Sequence, residues 1–265
     1  MTEDELILTH ILNCSRSELL LKKPVLTDAQ QKEFEEIKSR RLKNEPLQYL
    51  LGICDFLGFE LKVDSRVLVP RPETEILVDE AVKRVKHLKN IKILDLGTGS
   101  GNIAIALAKF LPDSHVTSVD ISKDALDLAK ENALRHGVQT RINFVCADMI
   151  NFFDVETRQC LVSTYDLIIS NPPYIPEEQI KTLPMDVQQE PELALKAGKD
   201  GLKFYRSIIQ YSPCLLRAGA YLMMEFGDDQ GLAVKGFILE QKTFSNIEIL
   251  QDLNCKDRII SAQKI

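Results

Sequence analysis

Apolar and polar residues change their spacing along the chain, and these changes divide it into segments. Four residues of the first segment share one helical face: Leu6, Ile7, His10 and Ile11. Thr27 followed by Gln30 forms a capping box and predicts a second helical stretch that ends near residue 43. Beyond Pro46, residues 47–69 are rich in glycine and aromatic side chains and partly alternate. This pattern predicts a β-hairpin or a short extended connector.

Strand and helix patterns then alternate to the end of the chain. A helix is predicted to begin at residues 70–73, because prolines and acids suit the exposed N–H groups of a first turn. Further helices are predicted over residues 102–110, 123–136, 201–216 and 229–241. Strands are predicted over residues 91–95, 116–119, 142–146, 166–170, 220–226, 246–251 and 257–262. Repeated β-α units of this length predict an α/β fold with a doubly wound, mainly parallel seven-stranded sheet.

The same pattern predicts how the chain is divided. We expect a small helical domain over residues 1–45, a β-hairpin connector over residues 46–72 and the doubly wound α/β domain over residues 73–265. No internal repeat or low-complexity tract interrupts this order.

Composition narrows the class of protein. The 265 residues include 33 basic and 39 acidic side chains, which gives a net charge of −6, and 45% of the residues are hydrophobic. This mixture is typical of a folded globular protein and excludes disorder along the whole chain. The acidic balance argues against direct binding to nucleic acid or to an anionic membrane surface. The longest stretch without charge, residues 96–108, is too short to span a bilayer.

Cysteine spacing and the first residues indicate where the protein works. The six cysteines stand at positions 14, 54, 146, 160, 214 and 255 and form no CxxC pair, and the four histidines do not cluster with them. We therefore expect no metal site and no disulfide framework, but reduced thiols. The acidic start of the chain resembles neither a signal peptide nor a transit peptide. These features predict a cytoplasmic protein, which we expect to be a monomer.

A glycine-rich turn follows the first strand of the α/β region. It comprises Gly97, Thr98, Gly99, Ser100 and Gly101, and the next helix begins immediately after it. Glycine allows a sharp turn and a close approach of a ligand, while the N-terminus of a helix offers free N–H donors. The alternative is a tight turn without a ligand. A dinucleotide fingerprint would require a third glycine at position 102, where this chain has asparagine.

Two further strands end in acidic residues. Asp120 ends the second strand, a position suited to accepting hydrogen bonds from ribose hydroxyls, and Asp148 and Met149 follow the third. The carboxylate of Asp148 can accept from an exocyclic amine, and Met149 can pack on an adenine face. Each acid taken alone could instead be a solvated loop residue or a helix cap. Together with the glycine turn, these residues predict an adenosine pocket.

A rigid segment follows the fourth strand. Asn171 is followed by Pro172, Pro173 and Tyr174. The prolines have no N–H and hold the chain extended, so the Asn171 side-chain oxygen and the Pro172 carbonyl can converge on one planar NH2 group. The Tyr174 ring can lie along the flat face of that group. The alternative is a rigid loop after a core strand.

These motifs together resemble those of the class I S-adenosylmethionine-dependent methyltransferases that act on amide or exocyclic amine nitrogen. More narrowly, the chain resembles the HemK-type release-factor glutamine methyltransferases. The segments that carry the resemblance are 45–52, 56–58, 67–75, the glycine motif, 171–174, 190–195, 200–202 and 224–227. Asn-Pro-Pro-Tyr is shared with DNA adenine methyltransferases, and its combination with Pro-Arg-Pro-Glu-Thr-Glu, residues 70–75, is far more specific.

The resemblance implies a reaction and a set of roles. The substrate would be the glutamine in the Gly-Gly-Gln loop of peptide chain release factors, and the product N5-methylglutamine. Residues 97–101, Asp120, Met149 and Asn171 would contact S-adenosylmethionine, and residues 171–174 would hold the glutamine amide. The family often has an aromatic residue where this chain has Met149. The helical residues 1–45 would dock the protein substrate, or alternatively only cap the larger domain.

Three other functions remain open at this point. The first is methylation of a glutamine in a ribosomal protein, although the Arg71-Pro72-Glu73 run resembles the release-factor branch better. The second is a DNA adenine N6-methyltransferase, which usually needs a basic recognition region, and none is visible in this acidic chain. The third is a cofactor-binding module without catalysis, which would have no need of the segment 171–174.

Overall fold

The N-terminal part of the molecule is a small group of helices. The computed structural model describes residues 2–150, 152 and 164–265. The helices are α1 (Glu3–Leu12), α2 (Arg16–Lys22), α3 (Asp28–Arg41) and α4 (Leu47–Leu51). Each of the first three begins with a capping box, and the predicted Thr27–Gln30 box is confirmed at the start of α3. Ile7, Ile37 and Leu47 form the buried core of this group.

The segment after Pro46 is a hairpin, but it does not begin as one. The prediction of extended structure is wrong for Leu47–Leu51, which form α4 and end at Gly52 in the left-handed conformation. Strands β1 (Ile53–Phe56) and β2 (Phe59–Lys62) then pair antiparallel. Pro46 does not break helical structure here, because it immediately precedes the first turn of α4, where no N–H is needed.

The larger part of the molecule is built on one sheet. Its strands are β3 (Lys92–Leu96), β4 (His115–Asp120), β5 (Ile142–Cys146), β6 (Tyr165–Ser170), β7 (Leu216–Glu225), β8 (Phe244–Gln251) and β9 (Asp257–Lys264). Within the described residues these seven strands lie in the order β5-β4-β3-β6-β7-β9-β8. Strands β3 to β7 are parallel, and β9 is antiparallel to both of its neighbours. This confirms the predicted mainly parallel, doubly wound sheet.

Helices cover both faces of the sheet. They are α5 (Pro72–Val85), α6 (Asn102–Phe110), α7 (Lys123–Arg135), α8 (Glu192–Leu195), α9 (Lys203–Leu215) and α10 (Gly231–Gln241). Successive side chains of β3 lie on opposite faces of the sheet. Ile93 packs in the hydrophobic cluster that includes α5 and α6, and Leu94 packs in the hydrophobic cluster that includes α9 and α10. A parallel strand covered on both faces is mostly apolar, which is why Ile93 and Leu94 of β3 and residues 167–169 of β6 form apolar runs.

The strand order places the ends of four strands beside one another. After β3 the chain builds β4 and β5 on one side, and β6 and β7 then form on the other side. The loops after β3 and β6 therefore diverge at a topological switch point, where ligands bind in sheets of this kind. The hairpin is tied to this region by Asn132, whose amide bonds the backbone of Lys62 and the carbonyl of Ser100.

Two structural findings concern the expected membrane and metal properties. Among the residues that the structure describes, no helix is long and apolar enough to cross a bilayer. Over the same residues, no group of histidine, cysteine or acidic side chains is arranged to hold a metal ion. Cys160, which entered the prediction of reduced thiols, lies outside the described residues.

Candidate active site

A cavity of about 430 Å³ lies at the carboxyl edge of the parallel strands. Gly97, Gly99, Asp120, Asp148, Met149, Asn171 and Pro173 are among the residues that line it. These side chains follow β3, β4, β5 and β6, as expected for a ligand crevice at the switch point. Residues 66–68 and 191–194 complete much of the remaining lining.

The glycine turn folds back on β4 and opens toward the cavity. The N–H groups of Gly97 and Thr98 both donate to the carbonyl of Val119. A Cβ atom at Gly97 would lie 3.5 Å from the Cε of Met149, whereas one at Gly99 would meet nothing within 4 Å. Gly97, Gly99 and Gly101 all have positive φ, a conformation that other residues rarely adopt. The turn therefore leaves backbone and open space facing the cavity.

The structure does not bring every predicted residue of the turn to this cavity. Thr98 is buried, and its hydroxyl donates to the carboxylate of Asp95 at 2.5 Å. Ser100 is also buried, and neither side chain lines the cavity. Gly101 instead allows the start of α6 to pack closely against α7, because a Cβ at position 101 would lie 3.2 Å from the Cβ of Ala129 in α7.

Asp120 is fixed at the end of β4 by two backbone donors. Its carboxylate accepts from the N–H of Gly99 and from the N–H of Ser122, each at 2.9 Å. Burial raises the pKa of Asp120 above its ordinary value, and these two hydrogen bonds act in the opposite direction. The carboxylate thus stands at the cavity with its position set and with lone pairs left to accept from a ligand.

Asp148 and Met149 lie beside Asp120 in the same lining. Asp148 accepts from the N–H of Ile150 at 2.9 Å, so it orders the chain after β5 as well as facing the cavity. The helix-cap interpretation and the ligand interpretation of Asp148 are therefore compatible. Met149 contributes a polarisable thioether next to Gly97, suited to packing on a flat ring.

Asn171 lies where the first cavity meets a second one of about 300 Å³. Pro172 and Tyr174 line the second cavity, and Pro173 lines the first. Burial raises the pKa of Tyr174 to about 12, so its hydroxyl stays protonated at neutral pH. The four residues of the rigid segment thus face two adjoining spaces.

The Asn171 side chain is held by residues that sequence reasoning did not assign. Its Nδ2 donates to the Thr74 hydroxyl at 2.9 Å, and that hydroxyl donates to the Glu225 carboxylate at 2.7 Å. Thr74 and Glu225 are each 1% exposed. Both lie in segments that carry the family resemblance, 67–75 and 224–227. Their place in those segments is the sequence signal from which a role could have been assigned to them.

Glu190 is a second unassigned residue near the cavities. Its carboxylate accepts from the Val69 N–H at 3.2 Å and pairs with the Arg71 guanidinium at 2.7 Å, and the residue is 5% exposed. It joins the segment before α5 to the segment before α8. Both segments contribute residues to the cavity walls, and Glu190 holds the two segments together.

Comparison with known proteins places the chain among methyltransferases. A model described as a methyltransferase domain matches residues 87–228, and a PrmC N-terminal domain model matches residues 2–52. A release factor glutamine methyltransferase of Chlorobaculum tepidum is 40% identical over 265 residues, covering 97% of this chain and 88% of that relative. One of Thermodesulfovibrio yellowstonii is 37% identical, covering 99% of this chain and 92% of the relative.

A solved structure agrees with these sequence relatives. The crystal structure of a release factor-specific protein-(glutamine-N5) methyltransferase from Alicyclobacillus acidocaldarius is 27% identical, with a TM-score of 0.50. The match covers 77% of this chain and 99% of that one. The chain belongs to the release factor glutamine methyltransferase family.

Proposed function

We propose that this protein transfers the methyl group of S-adenosylmethionine to the side-chain amide nitrogen, N5, of the glutamine in the Gly-Gly-Gln loop of peptide chain release factors. The observation that carries the proposal is the position of Asn171. It lines both cavities, and its Nδ2 is engaged by Thr74, which leaves Oδ1 available to a ligand. Family membership supports the same substrate.

The first cavity suits the cofactor. Asp120 would accept from the ribose hydroxyls, Asp148 from the adenine amine, and Met149 would pack on the ring. Gly97 and Gly99 would lie along the methionine portion, where their positive φ angles favour glycine. Thr98, Ser100 and Gly101 would act by shaping the turn rather than by contact.

The chain's own groups would activate a weak nucleophile. An amide nitrogen reacts poorly because its lone pair is delocalised into the carbonyl. Asn171 Oδ1 and the Pro172 carbonyl would accept its two N–H bonds, turn the nitrogen toward the first cavity and stabilise the positive charge that develops on it. Tyr174 would pack against the flat face of the amide. The sulfonium of the bound cofactor supplies an already activated methyl group and would leave as the neutral thioether, S-adenosylhomocysteine, while the methylated nitrogen would lose one of its two protons to solvent.

The N-terminal helices would help to dock the protein substrate. We propose residues 1–45 as the docking domain, 46–72 as the connector and 73–265 as the transferase domain. Arg41 at the end of α3 contacts Asp186 at 3.4 Å, and Gln189 donates to the Lys43 carbonyl at 3.0 Å. Since Leu183, Pro184 and Val187 line the second cavity, a partner on the helices would lie next to the proposed glutamine site.

The test is a labelling experiment with matched substrates. The protein is incubated with methyl-labelled S-adenosylmethionine and a release factor, beside the same factor with its loop glutamine changed to alanine. We expect a single methyl on that glutamine by mass spectrometry and none on the altered factor. Asn171→Ala should abolish transfer, with cofactor binding reduced but measurable, whereas Asn143→Ala on an exposed face should not.

Two additions to the experiment separate the alternatives. A synthetic loop peptide should require a higher concentration than the intact factor, and equal KM values would argue against docking by the helices. Cofactor binding without label on either factor would reject the release-factor substrate. Ribosomal proteins and DNA would then be tried as acceptors in the same assay.

A further inference from the structure

We propose that Thr74 and Glu225 are positioning residues, which hold Asn171 with its amide oxygen, not its nitrogen, facing the acceptor nitrogen of the substrate. This inference rests on the proposed function for its role in catalysis. The three side chains come from three separate elements: the first turn of α5, the end of β7 and the loop after β6. Two hydrogen bonds, at 2.9 Å and 2.7 Å, join these side chains.

The direction of the hydrogen bonds follows from the chemistry of the groups. An ionised carboxylate can only accept, and a threonine hydroxyl has one proton. The Thr74 proton is therefore given to Glu225, and the Thr74 oxygen can then only accept from Asn171. Because the Asn171 NH2 is committed to Thr74, its Oδ1 must point the other way. An asparagine without this anchor could present either its oxygen or its nitrogen to the substrate.

An Asn171 side chain that presented its nitrogen to the substrate amide would oppose methyl transfer. A substrate amide offers two N–H donors, and a second donor facing them would leave a buried group without a partner and would repel the charge that develops in transfer. The hydrogen bonds from Asn171 to Thr74 and from Thr74 to Glu225 therefore fix the productive one of the two amide orientations that the Asn171 side chain can adopt. Nothing else that is described around Asn171 Nδ2 makes that selection.

The ionisation of Glu225 is central to this arrangement. Burial raises the pKa of Glu225 to about 7, while the Thr74 hydroxyl and Arg258 favour its charged form. The other groups that face it are Glu73, Arg71 and Tyr174, and the Tyr205 hydroxyl donates to its backbone carbonyl at 3.0 Å. A protonated Glu225 can donate to Thr74, which frees the Thr74 proton to point at Asn171. The preference for the orientation in which Asn171 Oδ1 faces the substrate should therefore weaken as pH falls below 7.

The first measurement reads the Asn171 side chain directly, without any turnover. In 15N-labelled protein, the side-chain NH2 signals of Asn171 are identified by their loss in Asn171→Asp. Thr74→Val, which keeps the shape but removes the hydroxyl, should shift these signals and speed their exchange with water. Thr74→Ser should preserve them. In the wild type the signals should titrate near pH 7, and Glu225→Gln should remove that titration.

The second measurement is kinetic. Thr74→Val should lower kcat by about 100-fold, the loss that misplacement of one group of an active site can produce. The cofactor Kd should change by less than about threefold, because Thr74 does not line the first cavity. Thr74→Ser should recover most of kcat. A purely structural role would instead alter cofactor affinity and kcat together, in both variants.

The outcomes are distinguishable. Unchanged Asn171 signals in Thr74→Val, or a wild-type kcat in that variant, would overturn the positioning role. If Thr74→Val does not fold, the pH titration of the Asn171 signals in the wild type and its loss in Glu225→Gln decide the question. A wild type that methylates no release factor, while the Asn171 signals respond as stated, would reject the proposed substrate and support the positioning role of Thr74 and Glu225.

Discussion

Asp95 is a carboxyl group beside the site whose burial has an electrostatic cost. It is fully buried, and burial raises its pKa to about 7, although Thr98 and Ser118 donate to its carboxylate. In the unfolded chain this carboxyl titrates near its ordinary value of 3.8. Between pH 4 and 7 the folded protein therefore binds more protons than the unfolded chain. The contribution of Asp95 to stability is present below that window and is lost as pH rises through it.

Asp95→Asn should remove this dependence. The free energy of unfolding of the variant, relative to the wild type, should rise between pH 5 and pH 8 by on the order of 3 kcal/mol, since each pKa unit corresponds to about 1.4 kcal/mol. Urea unfolding at both pH values measures it. Asp113→Asn, at an exposed position, serves as the control and should show no such change. No difference between the two pH values would mean that Asp95 is ionised at little cost in the folded protein.

At the scale of elements, Glu190 connects two segments that are far apart in sequence. It bonds the backbone of Val69 and the side chain of Arg71, which precede α5, while it stands itself just before α8. The Arg71 side chain is 31% exposed, so water screens part of this pair. The buried carboxylate nevertheless satisfies a backbone N–H that no other described hydrogen bond engages.

Glu190→Ala should lower the free energy of unfolding by about 2 kcal/mol, through the unpaired N–H and the lost ion pair. Trypsin should also cut faster after Arg66 and Lys196, because the two segments are no longer joined. Glu178→Ala, at an exposed position without a described ion pair, is the matched control. Unchanged proteolysis at both bonds would show that the segments are held together by apolar packing alone.

Element boundaries show what local pattern can and cannot supply. The periodicity located α6 and β5 to the residue. It missed α4, since the glycines and aromatics that follow it dominate the segment. It also began β7 at residue 220, whereas the strand starts at Leu216. Residues 217–219 look like a turn, but a register shift between β6 and β7 accommodates them within the strand.

The candidate site likewise contains residues that the sequence pattern predicts and residues that it does not. Gly97, Asp120, Met149 and Asn171 could be grouped from sequence because each follows a parallel strand, and such strand ends share one edge. Thr98 and Ser100 could not be separated from them, since the loop's contact with Asp95 decides which side chains turn inward. The link from Thr74 to Glu225 spans 151 positions and depends on tertiary packing that no local pattern encodes.

At the scale of the whole molecule, the first cavity joins distant parts of the chain. Its lining combines the loops after β3, β4, β5 and β6 with residues 66–68 and 191–194. A ligand that contacts all of them binds only the folded state and therefore stabilises the entire fold, not one loop. Thermal unfolding is thus a measure of cofactor binding that needs neither a release factor nor turnover.

We expect S-adenosylmethionine at 100 times its Kd to stabilise the protein by about 2.7 kcal/mol, which raises Tm by about 5–10 °C for a chain of this size. Asp120→Ala should lose most of that increase, because it removes the proposed ribose acceptor and frees the N–H of Gly99. Asp127→Ala, whose side chain is 47% exposed, should keep the full increase. An equal increase in both variants would place the nucleoside away from β4. Because Asp120→Ala also lowers Tm without ligand, the quantity to compare is the increase and not the final value.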